Sequence, residues 1–243
     1  YAVTDTCPYF SSSDFLIGET TCDGKKKMYE FLGQLKPLHL IQLPYSATDG
    51  NALRFWHEEI LRLGTFIEDF TGSKIDKDNL RFQIRIHNQT RKLLDKIARF
   101  QAAERVPMTG LDMLSVMETK SFCVYPEKYL DLLRELIAEM EDIAASGFSP
   151  FERDAPRVLL TGCPIGKGSE KVLRIIEEAG AAVVCIENCT GVKGLDLLVD
   201  EEEKDPFLAL ARRYLRIPCS CITPNTGRVT LLDRIIGDYG IDG

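Results

Sequence analysis

The chain predicts an α/β fold, and three observations carry that prediction. Short apolar runs end in polar, glycine-bearing turns, good helix formers follow those turns, and the same strand–loop–helix order returns near both ends of the 243 residues. The first run, Phe15-Leu16-Ile17, follows Ser11-Ser12-Ser13-Asp14 and ends at Gly18, which reads as a buried strand. Asp23-Gly24 reads as a turn. From Lys25 to Leu32 the pattern is helical, with Met28, Phe31 and Leu32 on one face and Gly33 as a stop. Leu38 to Leu43, bounded by Pro37 and Pro44, is the next strand, at the spacing of a parallel crossover.

From Ser46 to Gly147 the period becomes helical. Asp49 or Asn51 caps a helix that carries Leu53, Trp56, Ile60 and Leu63, and further helices are expected over 76–104, 109–119 and 126–145. Glu58-Glu59 and Glu68-Asp69 read as solvated faces of these helices, and His57, His87 and Cys123 as ordinary surface or core residues. The α/β pattern then resumes. Arg157 to Thr161 is a strand, Ser169 to Ala179 a helix ended by Gly180, and Ala182 to Ile186 a strand with Cys185 in its core; helices follow over 206–215 and 228–238. The expected organisation is therefore residues 1–45 as part of a first α/β domain, 46–150 as a helical segment, and 151–243 as a second α/β domain. The chain starts at Tyr1 and stops at Ile241-Asp242-Gly243, where another strand is expected, and reads as a fragment whose second domain is cut short.

Composition narrows the function classes. A net charge of −7 and a pI near 5.2 argue against a general nucleic-acid surface, which needs a basic excess. No apolar stretch has the length of a membrane span. No signal-peptide pattern is present in these residues, so the eight cysteines are expected as reduced thiols or metal ligands in a cytoplasmic setting, not as a disulfide framework.

The thiols sit where ligands collect in βα units, at the carboxyl ends of strands. Cys22 lies in Gly18-Glu19-Thr20-Thr21-Cys22-Asp23-Gly24, just before a helix headed by Lys25, Lys26 and Lys27. A helix start and three lysines favour a thiolate, and the lysines favour an anionic neighbour. Cys7 precedes Pro8, whose ring imposes a turn or an extended geometry, and reads equally as ligand or local packing beside Tyr9 and Phe10. Cys163 lies in Gly162-Cys163-Pro164-Ile165-Gly166-Lys167-Gly168-Ser169, which fails as a phosphate loop because three residues, not four, separate its glycines and Gly168 follows the lysine. The helix start at Ser169 keeps a weak anion-binding reading. Cys189 stands in the polar turn Asn188-Cys189-Thr190-Gly191, and Pro218-Cys219-Ser220-Cys221 places two thiols one residue apart, where a disulfide is strained and ligation is the better use. No local spacing identifies a metal, although cysteines from separate βα loops can converge on an iron–sulfur cluster.

Five segments together resemble the 2-hydroxyacyl-CoA dehydratase and benzoyl-CoA reductase superfamily: Asp5 to Phe10, Gly18 to Tyr29, Thr161 to Pro164, Glu187 to Gly191 and Ile217 to Cys221. The run Gly18 to Met28 and the Pro-Cys-Ser-Cys loop are similar to its double-cubane cluster branch. The resemblance implies two flavodoxin-like (Rossmann-like) parallel-sheet domains joined by helices, with an oxygen-sensitive cluster in the cleft, either [8Fe-9S] or [4Fe-4S]. It implies Cys22 and Cys219 as metal ligands, with Cys221, Cys189 and Cys7 as further cofactor-binding candidates, and family ligands before Tyr1 and after Gly243. The implied partners are an ATP-hydrolysing iron–sulfur activator, a ferredoxin or flavodoxin upstream, and a second subunit, identical or related. The implied activity is reduction of small molecules. The alternative is (R)-2-hydroxyacyl-CoA dehydration through a ketyl radical, and a two-lobed binding protein without catalysis is a reading of another class. No catalytic acid or base is identified by the residues.

Overall fold

The computed structural model describes residue 4 and residues 6–242, so Asp5 of the first motif lies outside it. A short helix, α1 (Pro8–Ser12), opens on a proline at its first position, with Cys7 as the N-cap. Pro8 therefore starts a helix in place of the expected turn or extended segment, because its fixed φ and missing N–H suit that position. β1 (Leu16–Glu19), α2 (Asp23–Leu32) and β2 (Leu38–Ile41) follow, the strands pairing in parallel from Leu16 opposite Leu38 to Glu19 opposite Ile41.

Three boundaries differ from the sequence expectation. β1 runs through Gly18 to Glu19, since its ladder with β2 continues past the glycine. Asp23-Gly24 is the first turn of α2, not a separate turn, and the extended Cys22 (φ −135°, ψ 160°) is the N-cap. β2 stops at Ile41 because side chains claim the next amides: Gln42 N donates to Glu59 Oε2 (2.9 Å) and Leu43 N to Thr20 Oγ1 (3.1 Å).

The helical stretch comprises α3 (Ala52–Thr71), α4 (Lys77–Arg99) with a 3-10 turn over Phe100–Ala102, α5 (Gly110–Thr119) and α6 (Pro126–Ser146). Thr109 caps α5 by accepting from Asp112 N. Then come β3 (Arg157–Thr161), α7 (Lys171–Glu178), β4 (Ala182–Glu187), α8 (Pro206–Leu215) and α9 (Thr226–Tyr239). β3 and β4 also pair in parallel, with an irregularity between Val158 and Leu159. The architecture is thus α/β with two small parallel sheets among the described residues.

Contacts divide the chain into two compact units: residues 1–80 with 202–225, and residues 81–201 with 226–243. The sequence pattern alone groups 202–225 with the last α/β segment instead. In the first unit α8 packs on α3, where a Cβ at Gly64 would stand 3.3 Å from Phe207 Cε1, and Thr223 N donates to Tyr45 O (2.9 Å). These contacts join parts distant in sequence, so no local pattern announces them.

In the second unit Leu94 and Ile97 of α4, Met113 and Met117 of α5, and Leu133 and Met140 of α6 form the helical core. β4 is buried along its whole length, as a parallel strand covered on both faces should be. Cys185 is 2% exposed within it, and burial pushes its thiol up to about 12, as befits a core residue. No helix among the described residues is long and apolar enough to cross a membrane.

Candidate functional site

In the first unit the carboxyl end of β1 is built around Glu19. Its carboxylate accepts from Lys25 Nζ, from Tyr29 Oη (3.3 Å) and from Thr21 Oγ1 (3.4 Å). Tyr29 reaches it from α2 because residue 18 has no side chain: a Cβ there would lie 2.6 Å from Tyr29 Cζ. The hydrogen bond to Glu19 raises the Lys25 ammonium above its ordinary pKa, and burial, followed by the Glu19 charge, raises the Tyr29 phenol. Lys26 pairs with Asp23 (3.4 Å) and Lys27 with Glu30. The anionic partners expected of the three lysines are thus carboxylates of the chain itself.

Cys22 is exposed at the N-cap of α2 and makes no side-chain capping bond. Cys219 and Cys221, both half-buried, bring their sulfurs to 3.3 Å, with Cys221 Sγ donating. Burial, then the neighbouring Cys219, pushes the Cys221 thiol up to about 11. Cys219 and Glu19 line one cavity of about 490 Å³ in this unit. Cys22 follows Glu19 by three positions in the sequence, and Glu19 shares a cavity lining with Cys219 and acts electrostatically on Cys221. Cys7, half-buried at the head of α1, belongs to the same unit. Cys189 is exposed and belongs to the other unit. Among the described residues, no three His, Cys, Asp or Glu side chains gather closely enough to hold a single metal ion.

The second unit has its own polar centre where β4 ends. Glu187, fully buried, accepts from Thr161 Oγ1 (2.5 Å) and Arg228 Nη2 (3.0 Å). Lys193 Nζ stands 3.3 Å from Glu187 Oε1 as an ion pair without hydrogen-bond alignment. Asn188, also buried, accepts from Thr190 N (3.0 Å) and Gly191 N (2.8 Å) and donates to Cys163 O (3.2 Å), which shapes the turn bearing Cys189. Only glycine fits at residue 191, since a Cβ would stand 1.9 Å from Ile186 O. The weak anion site expected before Ser169 is already filled by protein carboxylates. Lys167 N donates to Glu118 Oε1 (2.8 Å) and Gly168 N to Glu170 Oε2 (2.5 Å), and α7 begins only at Lys171.

Two buried carboxylates are not singled out by the sequence as buried polar centres. Glu59, expected on a solvated face, is 2% exposed; it accepts from Gln42 N and pairs with Arg62 (3.0 Å). Its spacing is the available signal, three after Trp56 and four before Leu63, which places it on the apolar face of α3. Glu187 opens the segment Glu187 to Gly191 noted in the sequence, and its burial is marked by its place at the end of an otherwise apolar strand.

The whole chain, residues 1–243, matches the family described as 2-hydroxyglutaryl-CoA dehydratase, D-component, and it belongs to that family. It is 40% identical over 243 residues to the "Putative dehydratase subunit YjiM" of Escherichia coli strain K12, covering all of this chain and 63% of that protein. It is 23% identical over 158 residues to a subunit of the benzoyl-CoA reductase of Thauera aromatica, covering 65% of this chain and 39% of the relative. The chain therefore spans less than two thirds of the length of either relative.

Proposed function

We propose that the chain is part of an iron–sulfur redox subunit and that Cys22 and Cys219, with Cys221 beside them, bind the cluster. One observation carries this reading: in a member of the dehydratase family, the Cys219–Cys221 pair and Cys22 belong to one unit, with Glu19 at the carboxyl end of β1 as a common neighbour. The donor chemistry fits, because free thiols that are exposed or half-buried can ligate as thiolates, whereas buried Cys185 cannot. Cys189 and Cys7 complete the proposed ligand set, with the two sheets taken as parts of flavodoxin-like domains.

When bound, the cluster supplies one electron at low potential. The residues of this chain do the rest. Cys22 offers its sulfur at the amino end of α2, where unfilled first-turn amides favour negative charge. Glu19 binds Lys25 and Tyr29 and fixes the start of α2 against β1. The apolar lining beside Cys219 limits access of water to the sulfur.

The Pro-Cys-Ser-Cys loop favours a double-cubane-type reductase of small molecules, charged by an ATP-hydrolysing activator fed from ferredoxin or flavodoxin. The similarity to a dehydratase D-component and to YjiM favours the second reading, a subunit of a 2-hydroxyacyl-CoA dehydratase. In both the protein works in the cytoplasm, paired with an identical or related subunit. Iron and acid-labile sulfide counted on the anaerobically purified full-length protein decide: about eight iron per chain supports the first, about four the second. An iron-free full-length protein overturns both.

A further inference from the structure

The loop after α8 holds its two sulfurs in contact. Cys221 Sγ donates to Cys219 Sγ across 3.3 Å, and among the described residues no other pair of cysteines is hydrogen-bonded sulfur to sulfur. The backbone makes that contact. Ile222 N donates to Cys219 O (3.1 Å), which closes a turn over Cys219-Ser220-Cys221-Ile222 and puts both thiols on one bend. The turn is pinned on either side, since Cys219 N donates to Ile217 O (2.8 Å) and Thr223 N to Tyr45 O (2.9 Å). Both cysteines keep part of their surface open to solvent, unlike Cys185. Two thiols held this way can share a metal or bond to each other. A disulfide between residues one apart closes a small, strained ring, and strained, accessible disulfides are the readily reduced ones. Such a bond acts as a switch, not as a staple.

We propose that Cys219 and Cys221 form a reversible disulfide whenever no metal occupies them, closed by a small disulfide such as oxidised glutathione. One sulfur attacks the S–S bond of the reagent and forms a mixed disulfide, releasing the first glutathione thiol. The second sulfur attacks that mixed bond and releases the other. Two protein thiols are oxidised, one reagent disulfide takes up the two electrons, and the two S–H protons leave on the released thiols. The closed pair has no thiolate left to ligate iron, so oxidation and cluster binding exclude each other. The disulfide stands on the turn geometry alone; the exclusion rests on the cluster reading.

Trypsin cuts after Arg216 and Arg228, so one peptide carries both thiols and no other cysteine. Full-length protein is stripped of iron with a chelator, equilibrated anaerobically with reduced and oxidised glutathione, quenched with iodoacetamide and digested. The peptide should lose both alkylation sites together as the mixture becomes oxidising, carry no glutathione, and regain both sites with dithiothreitol. At one fixed mixture the ratio of closed to open peptide should be about tenfold higher in the folded protein than in urea, because the turn holds the sulfurs together. Cys221→Ser should stop at the mixed disulfide on Cys219. Should that variant fail to fold, the titration of the natural protein decides. Both sites alkylated throughout, or glutathione adducts without closure, overturn the disulfide; equal ratios in buffer and in urea overturn the role of the turn. Protein that keeps its iron should resist the mixture that closes the stripped form. Equal closure in the two overturns the exclusion, whereas protein purified anaerobically without iron overturns the cluster reading and the exclusion with it, and the peptide still judges the disulfide.

Discussion

The ring of Tyr29 lies flat against the backbone of Gly18, so that a methyl group at residue 18 would stand 2.6 Å from Cζ and 2.8 Å from each Cε. This contact locks α2 onto β1 and delivers the Tyr29 hydroxyl to Glu19 (3.3 Å). Gly18→Ala is expected to force the ring away and to cost about 1–3 kcal/mol, as overpacking does. Urea unfolding measures it. Tyr29→Phe, which keeps the ring and loses only a long hydrogen bond, should cost about 1 kcal/mol or less.

At the end of β4, Glu187→Ala leaves Lys193, 5% exposed in its side chain, without its counter-charge. Breaking a buried pair in this way costs about 3–5 kcal/mol. Arg228→Ala should cost less, since the Arg228 side chain is 22% exposed and water can replace part of its contact. A shift in the denaturant midpoint for Arg228→Ala equal to that for Glu187→Ala would mean that the lysine pairing contributes nothing.

The cysteines divide into two sets with opposite expected behaviour. Cys22→Ser and Cys219→Ser should lower the iron content of anaerobically purified protein with circular dichroism unchanged. Cys185→Ala should keep the iron and lose about 1 kcal/mol of stability, because the Cys185 sulfur is core packing. Iron retained in Cys22→Ser would remove Cys22 from the ligand set.

Burial lowers the pKa of both His39 and His87 from the ordinary 6.5; the charge of Glu59 partly opposes this at His39, and Arg62 and Arg91 add to it at His39 and His87 respectively. The folded state then binds fewer protons than the unfolded one. Their contribution to stability is complete above 6.5 and is lost as pH falls through that value towards the lower folded pKa values. Thermal unfolding should show a lower Tm at about pH 5.5 than at about pH 7.5, and His39→Gln should flatten part of that slope. A slope identical in the variant would show that His39 takes no part.

Much of the fold is legible in the sequence because its signals are local. β3 coincides with its apolar run, α8 begins at Pro206 behind the capping Asp205, and α6 begins at Pro126. What escapes depends on tertiary packing. Glu59 is buried by the backbone turn after β2, and residues 202–225 join the first unit through the packing of α8 on α3. For the site, the Cys-Ser-Cys loop and the residues of the Cys22 turn are visible as motifs. Their membership of one unit is not, because the neighbours of the second loop include Tyr45 and Glu19, far away in sequence.

The discontinuous first unit also sets an order of events during synthesis. Cys22 leaves the ribosome well ahead of the segment over 202–225, and its unit cannot close until that segment follows, after the whole intervening stretch has emerged. Throughout that interval the thiol of Cys22 waits on a half-built unit, open to oxidants and to stray metal ions.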